Sequence, residues 1–441
     1  LRDGGRLSAA ISVLEDIENR HKPARLALKA WGDASRFAGS KDRAFVSGLV
    51  LDALRHRRSL GWRMGADTPR AVALGTLRFA WNWSAERIGE AAAEAPHGPG
   101  ALGDDERSAL EKPVSLADAP VPSQGDYPDW LDPHLERVFG EARAEEARAL
   151  AARAPVDLRV NLIKTDPTRA VKALSPLHAE RAPYLDQAFR IPAPDPSERA
   201  GAVEMIPAFG KGWFEVQDLG SQLAAAAAGE VKGKQVLDFC AGGGGKTLAL
   251  AGAMGNTGQL YAYDADARRM ADLVPRATRA GVRNLQVRSP IETDPLRGLD
   301  GRMDVVFVDA PCTGTGTWRR HPDTKWRLTA EQLTRRMAEQ DAVLDQAAPF
   351  VKPGGRLVYV TCSILAEENE DRLAAFQSKH PDFAVRPIHL ADLPTTPEGC
   401  LRMTPLRTGT DGFFVAVLER ASAPFPLDGG RAGDGGGRGS G

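Results

Sequence analysis

The stretch that most constrains the fold is "KQVLDFCAGGGGKTLALAGAM", an apolar run, four consecutive glycines, then apolar residues at helical spacing. That is a strand, a Gly-rich turn and a helix. The alternation continues. "GQLYAYDADARRMADLVPRATRAG" reads as strand then helix, and "NLQVRS" and "MDVVFVDAPC" read as strands. "RMAEQDAVLDQAAPF" is a helix, "GGRLVYVTCS" a strand, "AEENEDRLAAFQSKH" a helix, and "GFFVAVLER" a closing strand. Strands alternating with helices from about residue 213 predict an α/β fold built on a mostly parallel, doubly wound, Rossmann-like sheet.

That unit is under half of a 441-residue chain, so two or three domains are expected. "LSAAISVLEDIENR" and "KDRAFVSGLVLDALRHRRSL" repeat apolar residues at three and four, so residues 7 to about 90 read as helices. "EAPHGPGALGDDERSALEKPVSLADAPVPSQGDYP" is rich in Pro, Gly and acid and reads as a connection between domains. "DWLDPHLERVFGEARAEEARALAARAP" is helical again, and "VDLRVNLIKTD" and "AFRIPAP" read as short strands of a small α/β segment. The tail "DGGRAGDGGGRGSG" reads as disordered.

A formal net charge of −1 excludes a global field that attracts polyanions, so nucleic-acid binding must come from local patches. The four cysteines, Cys240, Cys312, Cys362 and Cys400, show no C-x-x-C spacing, which argues against a zinc site; no metal is expected. No run approaches a membrane span and no secretory leader is visible; the setting expected is reducing cytosol.

Ligands of a doubly wound sheet bind beyond the carboxyl ends of its strands. Glycines 242 to 245 let the backbone approach a ligand, with a helix N-terminus behind them. A P-loop would need glycine at position 240, where Cys240 stands, so a nucleotide hydrolase is a weak rival. The second strand ends at Asp264, twenty residues past Gly244, where a carboxylate can accept from both hydroxyls of a ribose. This pair of features is shared by dinucleotide and S-adenosylmethionine sites and does not separate them.

Cys312 and Cys362 both follow strands that deliver side chains to the same crevice. A thiol beside a methyl donor suits one chemistry: addition to carbon 6 of a pyrimidine turns carbon 5 into a nucleophile, and a second group assists release. The ordinary alternative is a pair of small buried hydrophobes. Cys240 reads as packing that lines the cofactor, and Cys400 has no constellation around it.

Together, "DFCAGGGGKT", "DAPCTGTGTWRRHPDTKW", "VTCSILAEENE", "FEVQDLGSQ", "TDGFFVAVLER" and "LRVNLIK" resemble the Sun/Fmu/Nop family of RNA cytosine-C5 methyltransferases, over about residues 155 to 420. More loosely, the N-terminal region resembles the NusB-like RNA-binding domain carried by bacterial small-subunit rRNA enzymes of that family. The resemblance implies an S-adenosylmethionine-dependent sheet preceded by an all-α NusB-like domain (1–128), a linker helix and small α/β RNA-binding segment (129–212), a catalytic domain (213–420) and a tail (421–441). It implies Cys362 as the nucleophile, Cys312 as the residue that assists product release, and Asp309 at the cytosine and the methyl donor. Only the resemblance orders the two thiols. Cys240, Ala241, Gly242, Gly243, Gly244, Gly245 and Lys246 would cradle the cofactor with Asp309, and Asp264 would hold its ribose. Gly243 departs from the family's proline. The acid that the family places after strand three near the adenine has no counterpart at Pro290, although Glu292 is close.

The implied partner is RNA, most of all 16S rRNA, with a monomeric enzyme acting on an unpaired or flipped cytosine. The rivals are the same chemistry on tRNA and a non-catalytic ribosome assembly factor. The run Trp318, Arg319, Arg320, His321, Lys325, Trp326 and Arg327 beside Cys312 reads as RNA-contacting, the alternative being a solvated loop on a buried tryptophan. Arg55 to Arg58 form a further basic patch, and Arg159 and Asn161 lie in the small α/β segment.

Overall fold

The computed structural model describes residues 1–195 and 202–422; the tail from 423 on, read as disordered, lies outside the described residues. A helical region comes first. Helices Asp3–Arg20 and Ser40–Arg55 bury Leu7, Ala10, Leu14, Phe45, Val46 and Leu49 against Leu74 and Leu77. The apolar period of three and four supplies the buried face. The segment expected to be a bare connection instead closes this core. Helix Asp104–Glu111 opens on three acids and buries Leu110 completely, with Leu102 beside it. Pro and Gly around a single apolar turn hid it from the sequence.

A four-stranded antiparallel sheet follows, in the order β2-β3-β1-β4: β1 (Val156–Val160), β2 (Glu180–Arg181), β3 (Ala188–Ile191) and β4 (Phe214–Val216). β4 lies past residue 212, so this sheet runs slightly further than the sequence boundary suggested.

The large sheet has eight strands. They are β5 (Gln235–Asp238), β6 (Gln259–Tyr263), β7 (Leu285–Arg288), β8 (Met303–Asp309), β9 (Val351–Thr361), β10 (Phe383–Arg386), β11 (Leu401–Met403) and β12 (Phe413–Arg420). The order is β10-β12-β9-β8-β5-β6-β7, with β11 also on β12. β5 to β9 pair in parallel, as expected; β10, β11 and β12 make this a mixed sheet. The two short strands β10 and β11 carried too little alternation to be read in advance. Strand order reverses between β5 and β8, and ligands bind outside such a switch point.

The helical region is clasped to the large sheet by the loop after β8. Trp326 Nε1 donates to the Leu54 carbonyl (2.7 Å) and Lys325 Nζ to the Arg55 carbonyl (2.8 Å). These carbonyls end helix Ser40–Arg55 and lack intrahelical partners, so two donors from another domain complete it. Asp323 accepts from the Ala24 amide at the start of a neighbouring helix. Trp318 is buried among Tyr127, Leu131, Leu135, Leu333 and Ile364.

Among the described residues, no helix is long and apolar enough to cross a membrane.

Candidate active site

Four strand ends converge on the switch point. β5 ends at Asp238, β6 leads to Asp264, β8 ends at Asp309 just before Cys312, and β9 runs into Cys362. The two thiols meet: Cys312 Sγ and Cys362 Sγ are 3.2 Å apart, in hydrogen-bonding contact, and both are free. Their approach depends on two glycines. The Gly316 amide donates to the Cys362 carbonyl (2.8 Å), and the Gly412 amide donates to the Gly316 carbonyl (2.7 Å). A Cβ on Gly316 would fall 2.1 Å from the Gly412 carbonyl oxygen, so no larger residue lets these loops close.

Behind the thiols stands Glu368, fully buried. It accepts from the Thr313 amide (2.8 Å), Thr313 Oγ1 (2.6 Å), Gln340 Nε2 (3.0 Å) and the Ser363 hydroxyl. One carboxylate thereby joins the residue after each cysteine. The hydrogen bond with Cys362, then burial and the nearby Glu368 charge, push the Cys312 thiol well above its ordinary range. A proton can be shared between the two sulfurs, and either can donate it.

Lys246 Nζ bonds Asp309 Oδ2 at 2.7 Å, over the ring of Phe413. Burial would lower this amine, but the Asp309 carboxylate and Cys362 outweigh it and hold it above its ordinary value. Asp309 remains partly exposed, so its other oxygen is available in the crevice.

The glycine turn fits a cofactor of the expected kind. Gly242 sits at φ +53°, in the left-handed region, and its amide donates to Asp264 Oδ2 (3.0 Å). Asp264 Oδ1 accepts from the Asp266 amide (2.9 Å), and Arg269 lies 3.4 Å from Oδ2. A carboxylate offers about four lone-pair sites, so capacity for a ribose hydroxyl remains. A Cβ on Gly245 would enter open space, which is the room a ligand needs over this turn. Asp238 is fully buried under the turn; one oxygen accepts from Thr247 Oγ1 (2.6 Å), the other has no partner, and burial pushes its pKa up to about 7. Cys240, also raised by burial, and Ala241 complete the turn.

The basic run beside Cys312 behaves differently from the sequence expectation. Arg319 and Arg320 form ion pairs with Asp218 and Asp411, joining "WRRHP" to "QDLG" and "TDG". Trp318 is core, and Lys325 and Trp326 are the interdomain clasp. Burial and internal partners remove these five from an RNA-facing role. Arg55, Arg57 and Arg58 likewise pair with Asp52, Glu18 and Asp129. Arg159 bonds Gln217, and Asn161 caps the Gly212 and Ala280 carbonyls. Glu292, in the turn after β7, is exposed. Glu368 is not marked out by the sequence; an acid six residues past Cys362, in "AEENE", is its only local signal.

Residues 227–419 match the family model described as 16S rRNA methyltransferase RsmB/F. The probable ribosomal RNA small subunit methyltransferase B of Synechocystis sp. is 32% identical over 312 residues, 68% of this chain and 68% of that protein. The ribosomal RNA small subunit methyltransferase B of Photorhabdus laumondii is 31% identical over 303 residues, 67% of this chain and 66% of that protein. The crystal structure of PH0851 shares the fold, with a TM-score of 0.71 over 95% of this chain and 99% of that one, at 24% identity.

Proposed function

Because the chain belongs to the RsmB/F family of 16S rRNA methyltransferases, and so methylates cytosine of 16S rRNA with S-adenosylmethionine, we propose that it acts at carbon 5 through a covalent adduct on Cys362. The observation that carries this reading is the 3.2 Å contact between Cys312 and Cys362 at adjacent strand ends. A lone thiol could be packing; two in contact, above a Lys246–Asp309 pair, form a reaction centre.

In this reading Cys362 Sγ forms a bond to carbon 6 of the cytosine, and the ring's electron pair moves toward carbon 5. Asp309, fixed by Lys246, accepts from the exocyclic amine or a protonated ring nitrogen, which favours that addition. When bound, S-adenosylmethionine supplies the electrophilic methyl group that carbon 5 takes up. Release then needs loss of the carbon-5 proton and departure of Cys362 from carbon 6. Cys312, 3.2 Å from the departing sulfur, passes its proton to that sulfur and takes up the carbon-5 proton in its place, which is how it assists the elimination. Cys240 to Lys246 and Asp264 hold the cofactor, Asp264 at the ribose.

Division of labour follows. Residues 213–420 carry the reaction, while 1–128 and 129–212 position the RNA. The enzyme works as a monomer in reducing cytosol, where the thiol pair stays free.

Tritiated methyl transfer to unmodified 16S rRNA tests this. The unaltered protein incorporates label and Cys362→Ser loses it entirely. Label retained by Cys362→Ser contradicts the assignment. A protein that binds S-adenosylmethionine and rRNA but transfers nothing would be the assembly factor instead.

A further inference from the structure

A cleft of about 270 Å³ opens beside Cys312, between the Thr313 turn and helix Ala330–Ala347. Arg327, Arg335 and Arg336 line it together with Gln332. Among the described residues, no carboxylate lines this cleft. Three other clefts, near Trp326, Arg402 and Trp62, each hold at least one acid. In a chain of net charge −1, three guanidinium groups without an acid in the lining are a deliberate local field.

The donors are largely unspent. Arg335 is exposed and makes no ion pair or hydrogen bond among the described residues. Arg336 gives one nitrogen to Glu339 (2.7 Å), and Arg327 gives one to Asp323 (3.1 Å). Arg327 Nε is buried with no partner. Gln332 accepts from the Thr329 amide through its carbonyl oxygen, which leaves its NH₂ group available.

We propose that this cleft grips a backbone phosphate of the RNA next to the target cytosine, through Arg327, Arg335 and Arg336. The proposal rests on the reaction assigned above, because only a base presented to Cys312 places its phosphate here. Forked guanidinium groups match phosphate geometry. The contact is indifferent to sequence, so it positions the nucleotide rather than selecting it. It also takes over the role expected of the preceding basic run, five of whose side chains are spent on internal contacts, with Arg327 the member the two share.

The test measures binding of an unmodified 16S rRNA fragment against salt concentration, for the unaltered protein, Arg335→Gln, Arg335→Gln/Arg336→Gln, and Arg386→Gln as an exposed control on β10. The slope of log affinity against log salt becomes shallower by about 0.7 in the double variant, the value for one phosphate of a single strand, and by part of that in Arg335→Gln. Arg386→Gln keeps the original slope, and every variant keeps its affinity for S-adenosylmethionine. Equal slopes and affinities in the double variant and the control would overturn the proposal. The two readings fail separately. Arginine-dependent binding without methyl transfer by the unaltered protein would contradict the reaction and leave the cleft standing. Methyl transfer with an unchanged KM for RNA in the double variant would do the reverse.

Discussion

Lys325 offers a quantitative test of the interdomain clasp. Its side chain is 1% exposed, its Nζ donates to the Arg55 carbonyl, and the rings of Trp326 and Trp318 flank it at 5.0 and 5.8 Å. Burial lowers its pKa from 10.5 to about 7; Asp126 opposes this shift and Arg55 adds to it. The folded protein therefore binds fewer protons than the unfolded chain between about pH 7 and 10.5, and stability rises with pH across that window. Each pH unit within it adds about 1.4 kcal/mol. Lys325→Met keeps the apolar stem and removes the titration. It also leaves the Arg55 carbonyl unpaired, at a cost of about 1–3 kcal/mol at every pH. Urea unfolding of both proteins from pH 6 to 9 reads the difference. The unaltered protein should gain roughly 2 kcal/mol on Lys325→Met between pH 7 and 9, and the gap should flatten out below pH 7. Contributions from the cysteines are common to both proteins and cancel. Parallel profiles across the whole range would refute the reasoning, because they would mean that the amine is not buried in the clasp.

Asp264→Ala frees the Gly242 and Asp266 amides and removes the ribose acceptor, so calorimetry should show S-adenosylmethionine affinity falling roughly tenfold or more. Unchanged affinity would count against the cradle. Glu368→Gln turns an NH₂ group toward some of the donors that Glu368 now receives; the protein should lose about 1–3 kcal/mol and most of its methyl transfer, with cofactor affinity retained. Normal turnover in that variant would show that Glu368 does not set the cysteine loops.

The sheet was legible because alternating strands and helices leave a periodic record from residue 235 onward. The crevice was legible for the same reason: a doubly wound sheet puts its strand ends together, and the cysteines and Asp309 were at strand ends. Three things were not. The helix at Asp104–Glu111 is one buried turn in a Pro- and Gly-rich setting. The fates of Arg319, Arg320 and Lys325 depend on partners about a hundred to nearly three hundred residues away, Asp218, Asp411 and the Arg55 carbonyl, which no local pattern names. The contact between Cys312 and Cys362, and the buried Glu368 that ties Thr313 to Ser363 behind them, join residues some fifty positions apart and leave no local pattern either.

The most direct measurement is a denaturing gel of Cys312→Ser after reaction with unmodified 16S rRNA and S-adenosylmethionine. The account predicts a slow-migrating protein–RNA adduct, formed through Cys362 and not released, that is absent when Cys362→Ser is added to the same chain. An adduct that survives Cys362→Ser, or one trapped by Cys362→Ser alone, would reverse or abolish the assigned roles of the two thiols.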